Sequence, residues 1–156
     1  LLVACSQPLL ETYGCACAGR SYSAEELASY RDGAAKGDLT ALAEMQEYHM
    51  WRSDEFRDTP AYTRERRQMQ FYLDRRVALR DPDAIEEKVN DLITASLSSH
   101  ITAKARLNLL QQARSTALLH ADGFSTTDIR SKPREEIDVV RYLDREIRYT
   151  RERGPA

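Results

Sequence analysis

Apolar residues along most of this chain return every three or four positions, the period of a helix with one dry face, and two-residue alternation of the strand kind is absent. The series Ile85, Val89, Leu92, Ile93 and Leu97 is the strongest such pattern and must face a core. Leu42, Met45, Tyr48 and Trp51 recur at three-residue steps, and Met69, Leu73 and Val77 at four, joined by Tyr62, Phe71 and Tyr72. Ala103, Leu107, Leu110, Ala113, Ala117 and Leu118 mark another helix, and Ile137, Val140, Leu143 and Ile147 a last one. With one more at the start, about six helices are predicted and the class is all-α.

Polar residues punctuate these stripes. Ser23 with Glu26 forms a capping box, because the hydroxyl accepts from a free backbone N–H while the carboxylate reaches back to the cap's own N–H. The first helix is therefore expected from Ala24 to about Ala35, stopped by Gly37. Thr59-Pro60 and Asp81-Pro82 each place a capping side chain before a proline at the first helical position, where its missing N–H costs nothing. Thr102 opens the fifth helix, with Gly123 as its left-handed stop. A polar break from Ser125 to Lys132 leads to Pro133 and the final helix, which ends before Gly154-Pro155.

Two helix starts echo one another: Gly37-Asp38-Leu39-Thr40-Ala41 and Arg80-Asp81-Pro82-Asp83-Ala84. Lys104-Ala105 followed by Leu109, Leu110 and Ala113 stands where the second helix of a repeat would pack. This arrangement resembles the SEL-like repeat, a short relative of the tetratricopeptide repeat. Met45 takes its leucine position and Phe71-Tyr72 its aromatic pair, while Gln46 stands for a glycine and His49 for a tyrosine. The likeness runs from about Glu25 to Gly123. It implies antiparallel helical hairpins stacked as a short solenoid, with the last helix as the C-terminal cap that such arrays need.

The first residues follow a different logic. Leu2-Val3-Ala4-Cys5 resembles the lipobox of bacterial lipoproteins at every position, small residues beside the cut and a thiol to receive the lipid. That resemblance implies lipidation at Cys5, and Ser6 after it suits the outer membrane. Residues 1–22 then read as a signal remnant, the lipidated cysteine and a flexible tether, and 23–153 as the helical repeat domain. The other reading makes Leu1 to Leu10 an apolar strap packed on the body. Cys15 and Cys17 have no second pair or neighbouring histidine to complete a metal site, and are placed in the tether.

Charge and chemistry narrow the function. Among 156 residues 31% are charged, yet the net charge is only -2, so no global field attracts nucleic acid or anionic lipid. No apolar run approaches the ~20 residues of a membrane span. His49, His100 and His120 form no metal-binding pair, and phosphate loops and nucleophile elbows are missing. They read as surface or helix-end residues, and neither an enzymatic role nor a cofactor or metal is expected. Arginines crowd the helix after Pro60 (Arg64, Arg66, Arg67, Arg75, Arg76, Arg80) and the last helix (Arg141, Arg145, Arg148, Arg151, Arg153). Glu65, Asp74, Asp144, Glu146 and Glu152 interrupt both runs at ion-pair spacing, which argues for a solvated or interface face over a nucleic-acid surface.

The stretch from Trp51 to Asp58 reads as the longest loop in the repeat region. Trp51 and Phe56 either staple it to the helices or serve as binding anchors. On the second reading Trp51, Arg52, Asp54, Glu55, Phe56 and Asp58 form a partner-binding set of the residue types that dominate interface hot spots. The lipoprotein and repeat resemblances together imply a periplasmic protein-binding module. It is similar to type VI secretion immunity lipoproteins, which occlude a toxic effector enzyme such as a lipase or cell-wall hydrolase. An envelope adaptor that scaffolds a complex is the alternative.

Overall fold

The computed structural model describes residues 21–121 and 138–153, together with the backbone of 125–126 and 137. Cys5, Cys15, Cys17, Gly123 and Pro133, on which several expectations rest, lie outside these residues. The chain is all-α. The described residues form six helices, α1 (Ala24–Ala35), α2 (Leu39–Glu55), α3 (Ala61–Ala78), α4 (Pro82–Ser96), α5 (Ala103–Ala117) and α6 (Val139–Glu152). A two-residue antiparallel pair, β1 (Ser125–Thr126) with β2 (Ile137–Asp138), sets Ser125 opposite Asp138 and Thr126 opposite Ile137.

Most predicted caps are in place. The Ser23–Glu26 capping box closes at 3.1 and 2.7 Å, the Asp81 carboxylate accepts from the Asp83 N–H before Pro82, and Thr102 accepts from the Ala105 N–H. The last helix departs from expectation. It begins at Val139, not after Pro133, and Ile137 belongs to β2. Asp138 supplies the reason: its extended backbone and a 3.0 Å bond from the Arg141 N–H make it the N-cap, so the helical period starts there. α5 ends with Leu118 as its C-cap, ahead of Gly123.

The chain divides into two compact units, residues 1–72 and 73–156, with the division falling inside α3. In the first, α1 and α2 form a hairpin around Leu27, Ala34, Ala41, Leu42, Met45 and Tyr48, closed at the start by Tyr22. The Tyr22 ring meets Tyr48 edge-on at 5.5 Å and its hydroxyl donates to Glu44 at 3.2 Å. The two helices are very close where Gly33 faces Ala41. A Cβ on Gly33 would stand 2.8 Å from the Ala41 methyl, so only glycine fits. In the second unit α4, α5 and α6 pack around Ile85, Val89, Ile93, Leu110, Ala113, Leu143 and Ile147, the stripes read from the sequence.

The repeated helix starts share a backbone as well as residues. Gly37 and Arg80 both have positive φ, 84° and 63°. At each, the following aspartate N–H bonds back to a carbonyl five residues earlier, Asp38 to Gly33 at 3.0 Å and Asp81 to Arg76 at 3.1 Å. The positive-φ residue itself bonds three back, Gly37 to Ala34 and Arg80 to Val77. This is the Schellman arrangement, in which a left-handed residue lets the chain turn and satisfy the last helical carbonyls. Both aspartates then cap the next helix, and Ala41-Leu42 and Ala84-Ile85 are buried behind them. Arginine takes this glycine position at a conformational cost. Its guanidinium donates to the Leu119 carbonyl just past the end of α5, at 3.4 Å.

Some of the described stripe residues turn away from the cores. Phe71, Leu97 and Leu118 are exposed, Phe71 by 51% and Leu118 by 56%. Leu97 and Leu118 are C-cap residues, where the chain leaves the helical period that would have turned them inward. Phe71 is displaced by its neighbour: Tyr72 takes the inward position against the first core, and Phe71 touches it edge-on at 5.3 Å.

Candidate binding site at the end of α2

The Trp51–Asp58 stretch is not the loop that the sequence suggested. α2 continues through Glu55, and only the turn from Phe56 to Pro60 separates it from α3. Local bonds carry the helix on: the indole N–H of Trp51 donates to Glu47 one turn back at 3.1 Å, and the Phe56 N–H closes the last turn onto Arg52 at 3.0 Å. Ser53 is buried, its hydroxyl donating to the Met50 carbonyl at 2.7 Å.

Helical geometry then sorts the six candidate residues by face. Asp54, Glu55 and Asp58 are exposed, whereas Trp51, Arg52 and Phe56 are half-buried. Arg52 and Phe56 are brought together, the guanidinium 4.8 Å from the ring centre, and Tyr48 lies 5.7 Å from the same guanidinium. Trp51 is not part of that stack. Asp54 is held by Arg57 at 2.9 Å, an exposed pair of small energetic weight.

Beneath this surface lies a pair that the sequence did not indicate. Glu65, expected to be a solvated acid breaking up the basic run of α3, is only 4% exposed. Its carboxylate faces His49 at 2.7 Å, Arg64 at 3.3 Å and Arg52 at 3.6 Å. His49, expected at the surface, has a side chain only 13% exposed. Its ring stacks on Tyr72 at 5.6 Å with a 14° tilt and meets Tyr48 edge-on at 5.0 Å. His100 and His120 do not join it. His100 is exposed beyond the end of α4, and His120 is half-buried with Nε2 3.8 Å from Glu86.

The electrostatics of the pair follow from these contacts. Burial holds the His49 pKa below its ordinary 6.5, helped by the cations Arg52 and Arg31 and opposed by Glu65. Burial alone would raise Glu65, but the His49 hydrogen bond and the Arg52 charge outweigh it and leave the carboxyl below its usual range. Near neutral pH the acid is therefore an ionised acceptor and the imidazole a neutral ring that donates from Nδ1. A histidine fixed by a carboxylate has the geometry of an oriented base, yet what surrounds it here is tyrosine faces and arginines. Its evident effect is to lock α2 to α3 beneath the acidic turn.

Among the described residues no three histidines, cysteines or acids gather in a way that would hold a metal ion. No helix among them is long and apolar enough to cross a membrane. No protein-family model matches the chain, and it has no significant match among curated proteins or solved structures.

Proposed function

We propose that this protein is a lipid-anchored binding module of the bacterial periplasm, and that it acts as an immunity protein by occluding a secreted toxic enzyme. The observation that supports this most directly is the end of α2. Asp54, Glu55 and Asp58 stand exposed around the half-buried Phe56, on a segment held from below by Arg52, His49 and Glu65. Carboxylates around an aromatic anchor suit a basic cleft, such as one that binds an anionic substrate, and their charge speeds the encounter. Holding the segment rigid beforehand lowers the entropy lost on docking. The anchor is Cys5, by its likeness to the lipobox, and the two matching helix junctions fit an origin by repetition of a SEL-like unit.

The test is contact killing. Cells lacking the gene are expected to lose viability beside the parent strain and to recover with a plasmid copy, but not with one carrying Asp54→Lys, Glu55→Lys and Asp58→Lys. Equal survival of the deletion strain beside its parent would overturn the immunity reading. An envelope defect of that strain in pure culture would then favour the adaptor.

A further inference from the structure

Within the first unit, the joint between α2 and α3 is built differently from that between α1 and α2. α1 and α2 approach backbone to backbone at Gly33 and Ala41, whereas α3 reaches α2 through long side chains. These are the His49 ring stacked on Tyr72 at 5.6 Å, its Nδ1 bonded to Glu65 at 2.7 Å, and the Arg52 guanidinium 3.6 Å from the same carboxylate. Such a joint holds or opens with the charges inside it.

Charges reach His49 from all three helices of the unit. α2 contributes Arg52, α3 contributes Glu65 with Arg64 3.3 Å from its carboxylate, and α1 contributes Arg31, whose charge also opposes a proton on the ring. Tyr48 and Tyr72 complete the surroundings with uncharged rings. While His49 is neutral, one carboxylate already answers two arginines. A proton on His49 puts a third cation beside that single acid, on a side chain only 13% exposed. The bond to Glu65 favours that proton, but the loss of water around the ring outweighs it. Opening the joint returns the imidazolium to water, so proton uptake favours the open form.

We propose that this joint is a proton-operated latch: His49 uncharged holds α3 against α2, and His49 protonated releases the end of α2 and the turn that follows it. Arg52 carries the release outward, because the guanidinium that faces Glu65 also stacks on Phe56 at 4.8 Å. The latch belongs to the fold and does not need the immunity reading. For a partner docked at the end of α2 the same proton is a release signal, and that consequence does rest on the docking proposed above.

Amide hydrogen exchange of the full chain at pH 7.5 and 5.5, corrected for the intrinsic pH dependence of exchange, tests the latch without any partner. Amides of residues 50–66 are expected to exchange faster at pH 5.5, by more than about twofold and at most about tenfold, the ceiling for one proton taken up one pH unit below 6.5. Those of residues 27–34 in α1, and of α4 and α5, should not change. His49→Gln keeps a donor for Glu65 but takes up no proton, and His49→Phe keeps a ring between Tyr48 and Tyr72; each should abolish the acceleration. Unchanged exchange at 50–66, an acceleration shared by α1 or by α4 and α5, or one that persists in either variant would overturn the inference. Circular dichroism checks that the variants fold. Should neither fold, the wild type still decides: local acceleration that follows the proton NMR titration of His49 supports the latch, and a titration of His49 at any other pH than the acceleration overturns it.

Discussion

The two units hold themselves together by different means. Residues 73–156 rely chiefly on area: Ile85, Val89, Leu110, Leu143 and Ile147 are aliphatic and almost wholly buried, beside a nearly buried Arg76–Asp81 ion pair at 2.7 Å. Residues 1–72 rely on direction as well. Their hairpin closes through a glycine contact and the edge-on contacts of Tyr22 with Tyr30 and Tyr48, and a hydrogen-bonded His–Glu pair ties α2 to α3. Aliphatic packing tolerates exchange of one shape for another of equal volume, whereas a buried ionised acid tolerates no loss of its partners. The more specific unit is the one that carries the candidate binding site, and a docking surface benefits from a single fixed conformation.

The largest expected effect breaks the aliphatic unit. Leu143→Ala empties a fully buried site and should cost about 2–5 kcal/mol, read as a lower urea midpoint by circular dichroism. Trp51 is the only tryptophan and reports on the other unit. If its fluorescence transition moves less than the helical signal, the two units are separable; coincident shifts would make them one cooperative block.

Next is the polar unit. Glu65→Ala removes the acceptor of His49 and Arg64 and the counter-charge of Arg52, and should cost about 2–3 kcal/mol, visible in Trp51 fluorescence. The same pair predicts a pH response. The folded pKa of His49 lies below its unfolded value, so the unfolded chain takes up a proton first, and stability falls as pH drops through 6.5 towards the folded value. Glu65 adds a second loss of the same sign below 4.5. His49→Phe should flatten the upper part of that profile, and an unchanged profile would refute the assignment.

Gly33→Ala tests the close approach of α1 and α2. The added methyl meets Ala41, and overpacking of about 1–3 kcal/mol should exceed the ~1 kcal/mol gained in helix propensity. The smallest effect compares the two junctions. Arg80→Gly relieves roughly 1 kcal/mol of left-handed strain but gives up the bond to the Leu119 carbonyl, so a net gain of about 0.5 kcal/mol is expected in thermal melts. A loss would mean that the arginine contact outweighs the backbone cost.

The sequence by itself determined the helices and most of their starts. Capping boxes, Asp-Pro steps and three- and four-residue stripes act within a turn or two of chain, so Ser23, Asp81 and Thr102 could be read without knowing what they pack against. It also marked the matching junctions through their shared aspartate and alanine, although the left-handed turn at Arg80 is invisible in a residue that rarely adopts it. Where local signals competed, reading failed: three acids and two arginines made Trp51–Asp58 look like a loop, and bonds from Trp51 to Glu47 and from Phe56 to Arg52 kept it helical through Glu55. Tertiary structure alone decided that His49 meets Glu65 and that Phe71 yields the interior to Tyr72. Such pairings depend on which side chains two distant helices bring face to face, and no spacing along one strand of sequence encodes that.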